Sequence, residues 1–189
     1  MSKDKSPNTI LYSAADIQQR IKELGAAITA DYMGQNRPLA LIGMLKGSLY
    51  LMADLSRQIG LPHRYDFTAI GSTGNRNDTG IIRISRPIGL DIREANVLVL
   101  EEIIRTGLTT NLMVEYLHSL HPHSLNICTL FYNPEQTLLP LPIKYVGFEV
   151  GYERLVGYGI DSKEDGRYWK DVYRLDENTR FTSPGDPLF

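Results

Sequence analysis

The chain has 189 residues, a length that suits one α/β domain with a buried core, and no second domain is expected over residues 1–189. The 20 Lys and Arg against 22 Asp and Glu give a formal net charge of −2, so no overall positive field attracts a nucleic-acid backbone, and any phosphate binding has to be local. The single cysteine, Cys128, excludes an intrachain disulfide framework, and its apolar surroundings predict a buried, inert thiol suited to a reducing compartment.

Residues 1–12 read as a loose polar tail. They lack the apolar segment of a signal peptide, and no stretch of the chain approaches the length of a membrane span, which predicts a soluble cytoplasmic protein with no membrane partner. From Ser13 the pattern changes. Ser13 can cap a helix, Asp16 suits its first turn, Ile17, Ile21, Leu24, Ile28 and Tyr32 recur at helical spacing, and Gly34 can end it. Leu39 to Met44 then reads as a short buried strand, followed by a turn through Leu45, Lys46, Gly47 and Ser48 into a helix with Leu49, Met52, Leu55 and Ile59 on one face. A strand, a tight turn with lysine and glycine, and a helix is a geometry that can point backbone N–H groups at an anion.

His63 to Ile70 and Ile81 to Ile84 read as further strands. Between them, residues 71–80 hold three glycines among small polar side chains, a segment with no apolar anchor that should be mobile. The next run, Asn96 to Leu100, is apolar and rich in β-branched residues, as in a strand buried on both faces of a parallel sheet. Glu101 and Glu102 stand at its carboxyl end, where open α/β sheets place their ligands. Thr106, Gly107, Leu108, Thr109 and Thr110 turn the chain into a helix, offering hydroxyls, a flexible glycine and unpaired N–H groups at a positive dipole end. That combination is a phosphate cradle.

In the helix, Leu112, Tyr116, Leu117 and Leu120 mark an apolar face, broadened by Met113 and Val114. His118, His121 and His123 cluster beyond it, but their spacing fits no tetrahedral site, so they read as solvated loop histidines. Ser124 to Phe131 and Tyr145 to Val150 are strands, Trp169 to Leu175 suggests a last edge strand, and residues 176–189 read as a second loose tail. Strands alternating with helices predict an α/β fold built on a parallel twisted sheet flanked by helices.

The segment from Glu101 to Thr110 closely resembles the phosphoribosyl-diphosphate motif of type I phosphoribosyltransferases, in the form used by the hypoxanthine-guanine branch. The resemblance runs from Leu11 to Leu175 and implies a Rossmann-like core with a small hood and a mobile loop, here 71–80, that closes over the site. It implies that Glu101 and Glu102 hold the ribose hydroxyls and, with Asp161, magnesium. Ile104, Thr106, Gly107, Leu108, Thr109 and Thr110 would bind the 5′-phosphate side. Lys46, Gly47 and Arg167 would bind pyrophosphate, with a cis peptide expected at the Leu45, Lys46, Gly47 turn. Asn133, Arg154 and Leu155 would face the base.

Three base-side positions depart from that pattern. Arg105 stands where the family carries an aspartate that serves the purine as acid/base, Asn133 replaces a lysine, and Arg154 replaces a stacking aromatic. Arg105 stays protonated and cannot be a base. It can pair with Glu101 or Glu102, or join Arg154 in binding an anion. The resemblance therefore implies a Mg2+-dependent purine phosphoribosyltransferase of purine salvage, with Glu101, Glu102 and Arg105 at the reacting centre. It would transfer 5-phosphoribosyl from phosphoribosyl diphosphate to a purine base, and would assemble as a homodimer or homotetramer. The same chemistry on a different acceptor, an anionic one included, or a non-catalytic paralogue that binds a nucleotide, stays open at this point.

Overall fold

The computed structural model describes residues 9–73 and 81–175. Strand β1 (Ile10–Tyr12) leads into helix α1 (Ala14–Tyr32). The helix starts where expected: the Ser13 hydroxyl accepts from the Asp16 N–H at 3.2 Å, and the Asp16 carboxylate accepts from the Ser13 N–H at 3.3 Å, a reciprocal cap. Next come β2 (Leu39–Met44), α2 (Leu49–Ser56), β3 (His63–Thr73), β4 (Ile81–Arg86), β5 (Asn96–Ile104) and α3 (Leu108–His118). The chain continues through β6 (Ser124–Tyr132), β7 (Ile143–Glu149), β8 (Arg154–Val156) and β9 (Val172–Leu175).

Six strands form one sheet in the order β4-β3-β2-β5-β6-β7, parallel throughout except for the antiparallel β3–β4 hairpin. Strand β5 sits inside it, and successive side chains go to opposite faces. Leu98 and Leu100 join the core under α1 and α2, with Ile17, Ile21, Leu51 and Leu55. Val97 and Val99 join the core under α3, with Met113 and Leu117. This is the strand buried on both faces that its composition predicts. Cys128 lies in the same interior, where burial pushes its thiol up to about 12, the state of an inert thiol.

The remaining three strands form a small antiparallel sheet in the order β1-β9-β8, the hood. Two expectations change here. Ile10–Tyr12 is a strand rather than part of a loose tail, because Tyr12 packs on the rings of Phe131 and Phe148 at 5.0 and 4.6 Å while Ile10 and Tyr12 pair with β9. Three residues are too few to show a period in sequence. Strand β9, expected at an edge, is the middle strand, since β1 closes its other side.

Smaller differences concern helix faces and strand ends. Leu49 is exposed and Leu51 is buried in its place, and the deepest residues of α3 are Met113, Val114 and Leu117, with Leu112 and Tyr116 at the margin. The hairpin runs three residues further on β3 and two on β4 than expected, because pairing of Thr73 with Ile81 at one end and of Ala69 with Arg86 at the other satisfies their backbone groups. The expected tails 1–8 and 176–189, and residues 74–80 of the expected mobile loop, lie outside the described residues. No helix among the described residues is long and apolar enough to cross a membrane.

The α1 cap also joins the hood, since the Ala14 N–H donates to Asp171 just before β9 at 2.7 Å. Replacing Ser13→Ala should destabilise the protein by about 1 kcal/mol through loss of the cap, measured as a lower midpoint in urea unfolding with an unchanged slope.

Candidate active site

Strand β2 runs parallel between β3 and β5, with Leu39 opposite Asn96 and Gly43 opposite Leu100, so the two strands end side by side. After β2 the chain turns through the Leu45–Lys46 peptide bond, which is cis as expected. The turn approaches β5 so closely that a Cβ on Gly47 would fall on the Glu102 carboxylate. From the hood side, Gly159, at φ +95°, lies against the Gly47 carbonyl oxygen with no room for a Cβ. Tyr158 anchors that hood segment by donating its hydroxyl to Asp54 of α2 at 2.7 Å.

The two acids do not form a pincer. They were expected at the carboxyl end of the strand, just beyond Leu100, but β5 continues to Ile104, and the pleat sends neighbouring side chains to opposite faces. Glu101 is 1% exposed and accepts from the Thr110 hydroxyl at 3.3 Å, while Glu102 turns toward Gly47. Both border one open cleft of about 240 Å³ together with Met44, Ile104, Arg105, Thr106, Gly107, Thr109 and Thr110. Burial, and then the charge of Glu102, hold the Glu101 carboxyl well above the ordinary carboxylate range. Burial also raises Glu102, from 4.5 to about 7, with Arg167 opposing the shift and Asp161 adding to it.

Beyond β5 the chain makes the expected cradle. Gly107, at φ 76°, begins α3, a conformation that glycine adopts without strain, and no side chain caps the helix start. The first N–H groups of α3 therefore keep the unmet hydrogen bonds of an open helix terminus. Thr106 and Thr109 are exposed beside them, whereas Thr110 is buried against Glu101, and Leu108 points outward at 55% exposure.

The two expected pyrophosphate cations meet over the hood. Arg167 donates to the Gly159 carbonyl at 2.8 Å and pairs with Asp161 at 2.8 Å, and its Nε is buried without a partner among the described residues. Lys46 pairs with Glu164 at 2.6 Å, and Arg167 lies 3.6 Å from the same carboxylate. Glu164 was not singled out in the sequence, although it stands midway between Asp161 and Arg167. Asp161 also accepts from the Glu164 N–H at 2.8 Å.

The acceptor side differs most from expectation. Arg105 does not pair with Glu101 or Glu102. It donates to the backbone carbonyl of Glu153 at 2.8 Å and, in a long contact of 3.5 Å, to the side-chain oxygen of Gln136. Asn133 is fully buried and committed elsewhere: its amide donates to the Gly151 carbonyl and to Gln136 at 2.6 and 3.1 Å, and its oxygen accepts from the Gln136 N–H at 3.0 Å. It cannot also face a ligand, so its expected role as a base contact is replaced by that of a brace. The Leu155 side chain lies in the core under α1 and α2, leaving at most its backbone to face a ligand, and that backbone is paired with Arg174. Arg154 is exposed, and its guanidinium has no partner among the described residues. Gln136 and Glu153 were missed. Only the turn-forming Asn133-Pro134 step signalled that this loop was ordered.

No group of three His, Cys, Asp or Glu side chains able to hold a metal occurs among the described residues. The Glu102 and Asp161 carboxylates, close enough to influence each other's charge, suit instead an ion that keeps its waters and takes other ligands from a bound phosphate. Glu101 borders the same cleft but is buried and turned to Thr110.

Comparison with known proteins places this geometry among relatives. Residues 8–163 match the phosphoribosyl transferase domain family. The hypoxanthine phosphoribosyltransferase of Salmonella typhimurium is 38% identical over 172 residues, which span 89% of this chain and 97% of that protein. The hypoxanthine-guanine phosphoribosyltransferase of Mycobacterium avium is 35% identical over 173 residues, spanning 89% and 85%. Among solved structures, a hypoxanthine-guanine phosphoribosyltransferase from Bacillus anthracis superposes with a TM-score of 0.83 at 34% identity, over 90% of this chain and 100% of that one.

The raised acid makes stability depend on pH. Between pH 4.5 and about 7 the folded chain retains a proton on Glu102 that the unfolded chain has released, so stability is full below that window and falls as pH rises through it. Glu102→Gln removes this decline. In thermal unfolding followed from pH 4.5 to 8, the unsubstituted protein should lose on the order of 2–3 kcal/mol more than the variant.

Proposed function

This chain belongs to the hypoxanthine-guanine phosphoribosyltransferase family of type I phosphoribosyltransferases, and from that premise we propose that it transfers 5-phosphoribosyl from phosphoribosyl diphosphate to an oxopurine of the hypoxanthine and guanine type, releasing pyrophosphate in purine salvage. The observation that carries the reading is the meeting of an uncapped helix start at Gly107 with the Glu102 carboxylate in one cleft, the turn at Gly47 packing against that same carboxylate. A sugar bearing a phosphate at one end and a diphosphate at the other presents the groups that such a cleft lacks.

The roles follow from the chemistry of each group. The first N–H groups of α3, with Thr106 and Thr109, bind the 5′-phosphate. Glu102 in its ionised form accepts from the ribose hydroxyls and stabilises positive charge that develops at C1 as the bond to pyrophosphate breaks. Lys46 and Arg167 bind the leaving pyrophosphate once it displaces Glu164 and Asp161 from them. Magnesium, the divalent ion proposed here, would be held by Glu102 and Asp161 and would neutralise diphosphate charge. We place the protein in the cytoplasm. Exposed Leu49 and Tyr65 offer apolar surface of the kind a second copy buries, in line with a homodimer or homotetramer.

The test is release of pyrophosphate from phosphoribosyl diphosphate with hypoxanthine or guanine in the presence of Mg2+, lost on chelation. No release with any base would sink the reading. The Lys46–Glu164 pair is exposed and weak, so Glu164→Gln should lower the KM for phosphoribosyl diphosphate by about two- to fivefold in steady-state kinetics, and Lys46→Ala should raise it.

A further inference from the structure

The acceptor half of the cleft contains a cation that no carboxylate neutralises. Arg105 lines the cleft, and its guanidinium is partly withdrawn from water. Both of its partners are uncharged oxygens, the Glu153 carbonyl and the Gln136 amide. The Glu153 carboxylate is near enough to favour the charge but turns back to accept from the Gly151 N–H at 3.3 Å, and among the described residues Arg105 forms no ion pair. A guanidinium held in this way is poorly compensated until a ligand supplies negative charge.

The holding is built. Gln136 is fixed from two sides by Asn133, which is itself fully buried and tied to Gly151. Among the described residues, the same half of the site offers no free base. Arg105 and Arg154 are cations, Asn133 and Gln136 are neutral amides, and Glu153 is turned away. A neutral base arriving with its proton would find no side chain here to take it.

We infer that the site takes its acceptor as an anion, with Arg105 as the specificity-determining counter-charge and Gln136, braced by Asn133, as the residue that positions it. This rests on the phosphoribosyl-transfer reading above and narrows its substrate class to acidic oxopurines, in which added carbonyl groups make a ring N–H ionise near neutral pH. The step balances without a protein base. The anion reacts in the tautomer whose two imidazole nitrogens both lack a proton: the lone pair of one of them forms the C1–N bond, the C1–O bond breaks, and pyrophosphate leaves with the C1–O electron pair. The base gave up its proton to solvent before binding, so a permanently protonated side chain can stand beside the reacting ring.

The test compares kcat/KM for xanthine, a dioxopurine, with that for the less acidic hypoxanthine, using phosphoribosyl diphosphate and Mg2+ near neutral pH. The unsubstituted protein should prefer xanthine by about tenfold or more, the scale of a charge-assisted contact. Arg105→Gln should remove the preference and Arg105→Lys should keep part of it. Gln136→Glu, nearly isosteric, gives Arg105 an internal counter-ion and should raise the KM for xanthine while the KM for phosphoribosyl diphosphate stays within about twofold. Circular dichroism and thermal unfolding check that each variant folds. Turnover of hypoxanthine equal to or better than xanthine, or a preference unchanged in Arg105→Gln, overturns this inference and leaves the transfer reading standing. No turnover with either base overturns both.

Discussion

The site depends on one close approach. The parallel register of β2 on β5 brings the turn at Lys46 and Gly47 to the level of Glu102, and Gly159 of the hood comes in over the same turn. Neither glycine has space for a Cβ, so three distant segments meet backbone to side chain and backbone to backbone. The polar groups hang from this junction. Lys46 is one residue before it, Asp161 two residues after Gly159, and the cradle at Gly107 five residues beyond Glu102. Interiors are close-packed, so a shift at the junction would reach all of these groups together.

The same junction concentrates opposite electrical demands. The two acids are buried on either side of one strand, and both hold their protons more tightly than acids in water. A few residues on, the start of α3 offers unmet N–H groups, and across the hood Arg167 keeps its Nε buried and unpartnered among the described residues. With a net charge of only −2 the chain exerts little field at a distance, so recognition has to come from these fixed local groups. Glu164 and Asp161 pair with the two cations, Lys46 and Arg167.

What could be read in the sequence was whatever local chemistry or periodicity dictates. The Ser13 cap, the helical spacing from Ile17 to Tyr32 and the apolar run from Val97 to Leu100 each specify an element by themselves, and each is present. What could not be read depends on partners far along the chain. Ile10–Tyr12 becomes a strand only because β9 and two phenylalanine rings receive it. Asn133 was expected to face a ligand because it stands where the resembled family carries a lysine, and the groups that satisfy it, Gln136 and the Gly151 carbonyl, are evident only in the fold. The opposed directions of the two acids follow from the length of the strand: with β5 reaching Ile104, alternation alone separates Glu101 from Glu102.

The two halves of the cleft differ in how firmly the fold constrains them, and this explains where the chain departs from its family's pattern. On the sugar-phosphate side, replacing Gly47, Glu102 or Gly159 would disturb a contact shared by three segments. On the acceptor side, Arg105, Gln136 and Asn133 interact with one another and with the carbonyls of Gly151 and Glu153, a circuit closed within the loops after β6 and β7. Such a circuit can exchange one set of hydrogen bonds for another while the junction stays intact. The Arg105 charge is therefore accommodated at the end of β5 by the neutral oxygens of those loops, without drawing Glu102 away from Gly47.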